Sequence, residues 1–171
     1  MNNKVIQALG EVISALNQHE VEYMVIGGTA VGYYGYQRIS GAGYNQSMEI
    51  TPDLDFWYNP TTKNYYNLVA SLKSIGVDVQ TLEELVFNPK HTFVRIQKEK
   101  YRLEFLCEIK GVDSFPQCFS RANKVRLEDI EFYVIGYTDL IKNKEATNRE
   151  IDHRDINELK KRNKEIGRAH V

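Results

Sequence analysis

The chain has 171 residues, 42% hydrophobic and 26% charged, with a formal net charge of −1. That is long enough to bury a core and ordinary for a soluble globular protein, and the charge balance demands no nucleic-acid partner. No stretch approaches the roughly 20 apolar residues that span a bilayer, the N-terminus lacks a signal-peptide core, and Cys107 and Cys118 share no metal-ligand spacing. The expectation is a cytoplasmic protein with two free thiols in a reducing compartment.

Val5, Ile6, Leu9, Val12, Ile13 and Leu16 recur at spacings of three and four, one apolar face of a helix that fades around residues 17–20. Tyr23-Met24-Val25-Ile26 reads as a short buried strand stopped by Gly27-Gly28. Thr29 is then the expected N-cap of a helix through Ala30, Val31 and Tyr34. Residues 37–52 have no period and, from Ser40 to Ser47, are rich in turn formers, so a loop is expected there.

Asp53 to Tyr58 resumes a strand pattern, and Asn59-Pro60-Thr61 opens a helix carrying Tyr65, Leu68, Val69, Leu72 and Ile75, ended by Gly76. Residues 92–97 and 101–109 read as a hairpin around Lys98-Glu99-Lys100. Phe132 to Ile135 adds a short strand, Thr138 caps one helix, and Ile151, Ile156 and Leu159 mark another. There is no repeat or linker. The pattern predicts one α+β domain over residues 1–171, a short mixed sheet flanked by helices, with a helical C-terminal part from about residue 137. Such a pattern by itself fixes no function.

Three features carry chemistry. Asp53 and Asp55 stand two apart on a strand and so project from one face. Two neighbouring carboxylates repel unless a cation or shared proton intervenes, and a hard divalent ion such as Mg²⁺ suits them. A solvated strand end is the plain alternative. Gly27-Gly28-Thr29, between strand and helix, permits close approach of a ligand to the backbone and offers N–H groups to a phosphate, or is simply a tight turn. No Walker lysine and no Gly-x-Gly-x-x-Gly spacing accompanies it. Glu104, with Glu108 as its rival, supplies an acid from a second strand, unless it only pairs with Arg102 or Arg95. Together these features suit two-metal phosphoryl or nucleotidyl transfer.

Gly27-Gly28-Thr29-Ala30-Val31, then Arg38, then Thr51-Pro52-Asp53-Leu54-Asp55-Phe56 resembles the signature of the DNA polymerase beta-like nucleotidyltransferase superfamily. The look is nearest to small bacterial and archaeal members, including toxin-type enzymes of abortive-infection systems. Asp139-Leu140-Ile141, Lys144, Arg149, Asp152 and Asp155-Ile156 resemble the superfamily's C-terminal helices. The resemblance implies the nucleotidyltransferase fold, Mg²⁺ held by Asp53, Asp55 and Glu104, and catalysis by those acids. It implies a nucleoside triphosphate bound near Gly27, Gly28, Thr29 and Arg38, with Lys144 and Arg149 turned towards its phosphates or an RNA backbone.

The implied acceptor is RNA, protein or a small molecule, and a toxin-type member implies an antitoxin protein as partner. Two departures stand out: Glu104 where most members carry aspartate, and the inserted loop from Gly41 to Ile50. Both leave room for a module that binds nucleotide without turnover.

Overall fold

The computed structural model describes residues 3–35 and 51–169. Its elements run α1 (Asn3–Gln18), β1 (Tyr23–Val25), α2 (Gly27–Tyr33), β2 (Asp53–Tyr58), α3 (Thr62–Ser74), α4 (Gln80–Glu84), β3 (Val94–Gln97), β4 (Arg102–Leu106), α5 (Phe115–Phe119), β5 (Asn123–Leu127), β6 (Ile130–Val134), α6 (Tyr137–Thr147) and α7 (Glu150–Ala169). The strands form one mixed sheet in the order β3-β4-β2-β1-β6-β5. β2 and β4 run parallel, as do β1 and β6, while the other neighbours are antiparallel. The mixed sheet with flanking helices is the expected architecture.

Period-2 alternation divides the sheet's work between its faces. Leu54 and Phe56 of β2 and Leu103 and Phe105 of β4 are buried, each at most 1% exposed. Phe56 stacks on Phe105 and meets Tyr23 edge-on, which marks this face as core. The apolar stripe of α1, from Leu9 to Leu16, belongs to the same hydrophobic cluster as Leu68 and Leu72 of α3. On the other face, Trp57 packs against Phe115, Phe115 on Phe119, and Phe119 against Tyr133. α5 therefore covers part of this second face.

Local signals set most boundaries. Thr61 caps α3 by accepting from the Asn64 N–H, and Gly76 follows the helix at φ +79°, the left-handed turn that closes it. Two expected caps are displaced. α2 starts at Gly27, so Thr29 lies inside its first turn, where its hydroxyl donates 3.3 Å to the Asp53 carbonyl. α6 is capped at Gly136, and Thr138 is its second residue. In both cases a strand hydrogen bond (Ile26 N–H to Asp55 O, Ile135 N–H to Val25 O) ends the extended segment earlier than the hydroxyl suggests.

Three elements had no sequence expectation. α4 and α5 are five residues each, too short to show a period, although Ser114 and Gln117 form a capping box at α5. β5 is an edge strand whose Lys124 and Arg126 face outward, so its apolar signal is only Val125 and Leu127. Its hairpin with β6 turns through Glu128 at φ +54°. Among the described residues no helix is long and apolar enough to cross a membrane.

Candidate active site

β1 and β6 run one way and β2 and β4 the other, so the ends of the first pair lie beside the beginnings of the second. At that edge the chain leaves β1 for α2 and β6 for α6, and there β2 presents Asp53 and Asp55. Register places Asp53 opposite Arg102 and Asp55 opposite Glu104 on the parallel β4, with Arg95 of β3 opposite Glu104 in turn. Residues directly opposite share a face. Asp53, Asp55, Glu104, Arg95 and Arg102 therefore form one charged patch on the face opposite Leu54, Phe56, Leu103 and Phe105.

The patch is partly solvated. Asp53 keeps 57% of its side chain exposed and pairs with Arg102 at 3.3 Å. Glu104 is 29% exposed and accepts a hydrogen bond from Arg95 Nε. That is the ion pair open as the plain alternative in the sequence. Glu108, the rival acid, lies beyond the end of β4 and is exposed. Among the described residues, no group of three or more His, Cys, Asp or Glu side chains is drawn together as a metal cage.

Gly27 shows why a glycine must precede this strand pair. It sits at φ +59°, and a Cβ there would collide with Asp55 Oδ2 and stand 2.9 Å from the Asp55 Cβ and Cγ. Any side chain would displace Asp55 and adds left-handed strain. Gly27-Gly28 thus lets the backbone of the turn lie directly against a carboxylate. The first-turn N–H groups of α2 have no intrahelical acceptors.

The junction of α6 and α7 holds the two other expected cations, Lys144 and Arg149. Arg149 is 65% exposed and donates from Nε and one Nη to Asp152, at 2.8 and 3.1 Å. Its pKa is raised, first by those bonds to Asp152 and then, more weakly, by the charges of Asp152, Asp55 and Asp155. Lys144 is placed differently. Its side chain is 2% exposed, and its Nζ lies 3.1 Å from Asp152 and 2.7 Å from Asp155, both fully buried. The resemblance turned Lys144 towards phosphates; the structure places its ammonium between two interior carboxylates.

Burial alone would raise the Asp152 pKa. Hydrogen bonds from Arg149, Thr147 and Lys144 more than offset it and hold the carboxyl well below the usual range. Arg38, the loop from Gly41 to Ile50, and Tyr36 and Tyr44 lie outside the described residues. Of the tyrosines near the glycines, Tyr34 donates 2.7 Å to the Ile135 carbonyl and packs edge-on against Tyr137, whereas Tyr33 is 36% exposed. Both thiols are buried, and burial pushes both up, away from reactive thiolate.

The fold and the family to which the chain belongs are those of nucleotidyltransferases. The model of the family described as "Nucleotidyl transferase of unknown function (DUF2204)" matches residues 5–171, and the chain belongs to that family. Among solved structures it is similar to the lincomycin-bound crystal structure of the lincosamide antibiotic adenylyltransferase LnuA. The two are 15% identical with a TM-score of 0.56, over 94% of this chain and 96% of that one. At that identity the likeness establishes the fold. No curated protein matches the chain.

Proposed function

We propose that this chain, acting as one unit in the cytoplasm, moves a nucleoside monophosphate from a nucleoside triphosphate to an acceptor hydroxyl, releasing pyrophosphate. The observation that carries the reading is the placement of Asp53 and Asp55 on the open face of β2, with Asp55 against Gly27. Membership of a nucleotidyl transferase family supports it.

The donor set fits a hard divalent cation such as Mg²⁺. Asp53 and Asp55 offer oxygen ligands from one strand face, and the missing Cβ of Gly27 leaves the space that the Asp55 carboxylate occupies. Asp53 and Asp55 would hold the ion, with Glu104 joining them if Arg95 released it. The ion supplies Lewis-acid stabilisation of the charge developing on the reacting phosphate.

The chain's own residues do the rest. Gly27, Gly28 and Thr29 admit the phosphates to the backbone, and Arg38 and Arg149 bind them as charged donors. Glu104 takes the proton of the acceptor hydroxyl. The acceptor oxygen forms its bond to the α-phosphorus as the α–β bridging bond breaks, and the electron pair leaves with pyrophosphate.

The acceptor is RNA, a protein or a small molecule. LnuA, by its title, is an adenylyltransferase of a lincosamide antibiotic, which makes small-molecule hydroxyls the first acceptors to try. A toxin-type role, with an antitoxin protein as partner, is the narrower form of the RNA and protein readings. A second reading, nucleotide binding without turnover, is favoured by one observation: Glu104 is held by Arg95.

The test is transfer of label from α-³²P-nucleoside triphosphates to RNA, protein and small-molecule fractions, with pyrophosphate release followed in parallel. Transfer that disappears in Asp55→Asn supports the enzyme. Full activity in that variant overturns the mechanism, and binding without transfer or pyrophosphate release selects the second reading.

A further inference from the structure

Asp152 gathers an unusual number of donors for a fully buried carboxylate. Lys144 Nζ and an Arg149 Nη donate to Oδ1, each at 3.1 Å. The Thr147 hydroxyl at 2.8 Å, the Arg149 backbone N–H at 3.1 Å and Arg149 Nε at 2.8 Å donate to Oδ2. A carboxylate has about four lone-pair sites, so Asp152 is saturated. The local fold brings these donors together. Asn148 ends α6 in the left-handed conformation, its N–H returning to the Lys144 carbonyl, and the chain re-enters a helix one residue after Arg149. Thr147, Arg149 and Asp152 are thereby folded onto one another, with Lys144 one turn back on α6.

The two cations of this cluster differ in exposure. Lys144 is interior and spends its charge on Asp152 and Asp155. Arg149 shows 65% of its side chain to solvent while two of its nitrogens are pinned to the interior. A guanidinium has five N–H donors in a rigid fork. Two directed at Asp152 fix the plane of the group and leave its outer edge turned away from the anchor. An isolated surface arginine would lose rotamer freedom on binding a ligand; an anchored one has already lost it.

We propose that Asp152, neutralised by Lys144, is the positioning residue that aims the outer edge of Arg149 at the polyphosphate of the nucleotide, so that Lys144 acts through Asp152 and does not touch the ligand. This rests on the nucleotide-binding reading of the Asp53–Asp55 site. The charge of Asp55 is among those that raise the Arg149 pKa, which agrees with it. The consequence is selectivity by phosphate number. A triphosphate extends beyond the reacting α-phosphate and meets Arg149, whereas a monophosphate ends before it.

The experiment is calorimetric titration of wild type, Asp152→Asn, Arg149→Ala and the double variant with Mg²⁺–ATP (or whichever triphosphate binds best) and the matching monophosphate. A hydrogen bond to a charged group lost from Arg149 weakens triphosphate binding roughly tenfold or more. Asp152→Asn should reproduce most of that loss, leave monophosphate affinity within about twofold, and add little to Arg149→Ala in the double variant. Additive losses, or equal weakening of both ligands, would overturn the positioning role.

If Asp152→Asn does not fold, Thr147→Val removes one of the carboxylate's donors and should show a smaller loss with the same triphosphate selectivity. Unchanged triphosphate affinity there would also overturn it. Failure of wild type to bind any nucleotide would instead remove the reading on which the proposal rests.

Discussion

Carboxylates and cations meet in two places in this molecule, and the two behave as opposites. At the sheet edge, Asp53–Arg102 and Glu104–Arg95 are pairs with at least one partner more than half exposed. At the helix junction, Lys144, Asp152 and Asp155 are withdrawn from water almost completely. Exposed pairs are worth about 0–1 kcal/mol and exchange partners cheaply, so a ligand can take either acid from its arginine. A buried cluster owes its persistence to mutual neutralisation, and removing one member strands the others in a low dielectric. The same residue types thus make solvated, exchangeable pairs in one region and a fixed frame in the other. Arg149 is bonded to the buried frame through Asp152 while most of its side chain stays exposed.

The sharpest way to separate the regions is to neutralise one acid at the edge. Asp55→Asn should lower nucleotidyl transfer by about 10²–10³-fold or more while the thermal midpoint barely moves, read from label transfer and a melting curve. Lys144→Met should do the reverse. It leaves two buried aspartates without their ammonium and should cost about 3–5 kcal/mol in urea unfolding. Equal effects of the two substitutions on stability would erase the distinction.

Gly27→Ala falls between them. The new methyl displaces Asp55 and sits in the left-handed region, so a loss of about 1–3 kcal/mol and most of the activity is expected, measured on one preparation. Acid should sharpen the comparison further. Asp152 titrates near ~4 when unfolded and lower when folded, so its stabilisation is complete above about pH 5 and drains as pH falls below ~4. Urea midpoints should decline over that range in wild type and decline less in Asp152→Asn. The smallest effect belongs to Arg95→Ala, which breaks the exposed pair with Glu104 and should change stability by less than about 1 kcal/mol.

These contrasts also explain what the sequence made visible. Strands with a clear pattern announced themselves: Asp53 to Tyr58 sets its two acids on one face and Leu54 and Phe56 on the other, and the structure keeps those bounds. The α1 and α3 stripes were equally plain, because burial of a whole helix face leaves a period over three or four turns. β5 was hidden because an edge strand with outward lysine and arginine needs few apolar residues. Asp53 and Asp55 could be placed on one face by alternation, which left Glu104 and Glu108 as rivals for the third acid; the register of β2 on β4 sets Glu104 beside Asp55. The fate of Lys144 could not be read. A lysine in a helix with mixed charges looks solvated, and only the fold of the α6–α7 turn shows that two aspartates from the next helix enclose it. The signal available in retrospect is Thr147-x-Arg149-x-x-Asp152, a carboxylate placed to collect donors across a helix junction.

All of this turns on whether Asp53 and Asp55 make a nucleotide site at this end of the sheet. Calorimetric titration of Mg²⁺–nucleoside triphosphates into wild type and Asp53→Ala/Asp55→Ala tests it most directly. Wild type should show saturable binding that disappears in the doubly substituted protein while its fold is retained. Binding of equal strength to both proteins would contradict it.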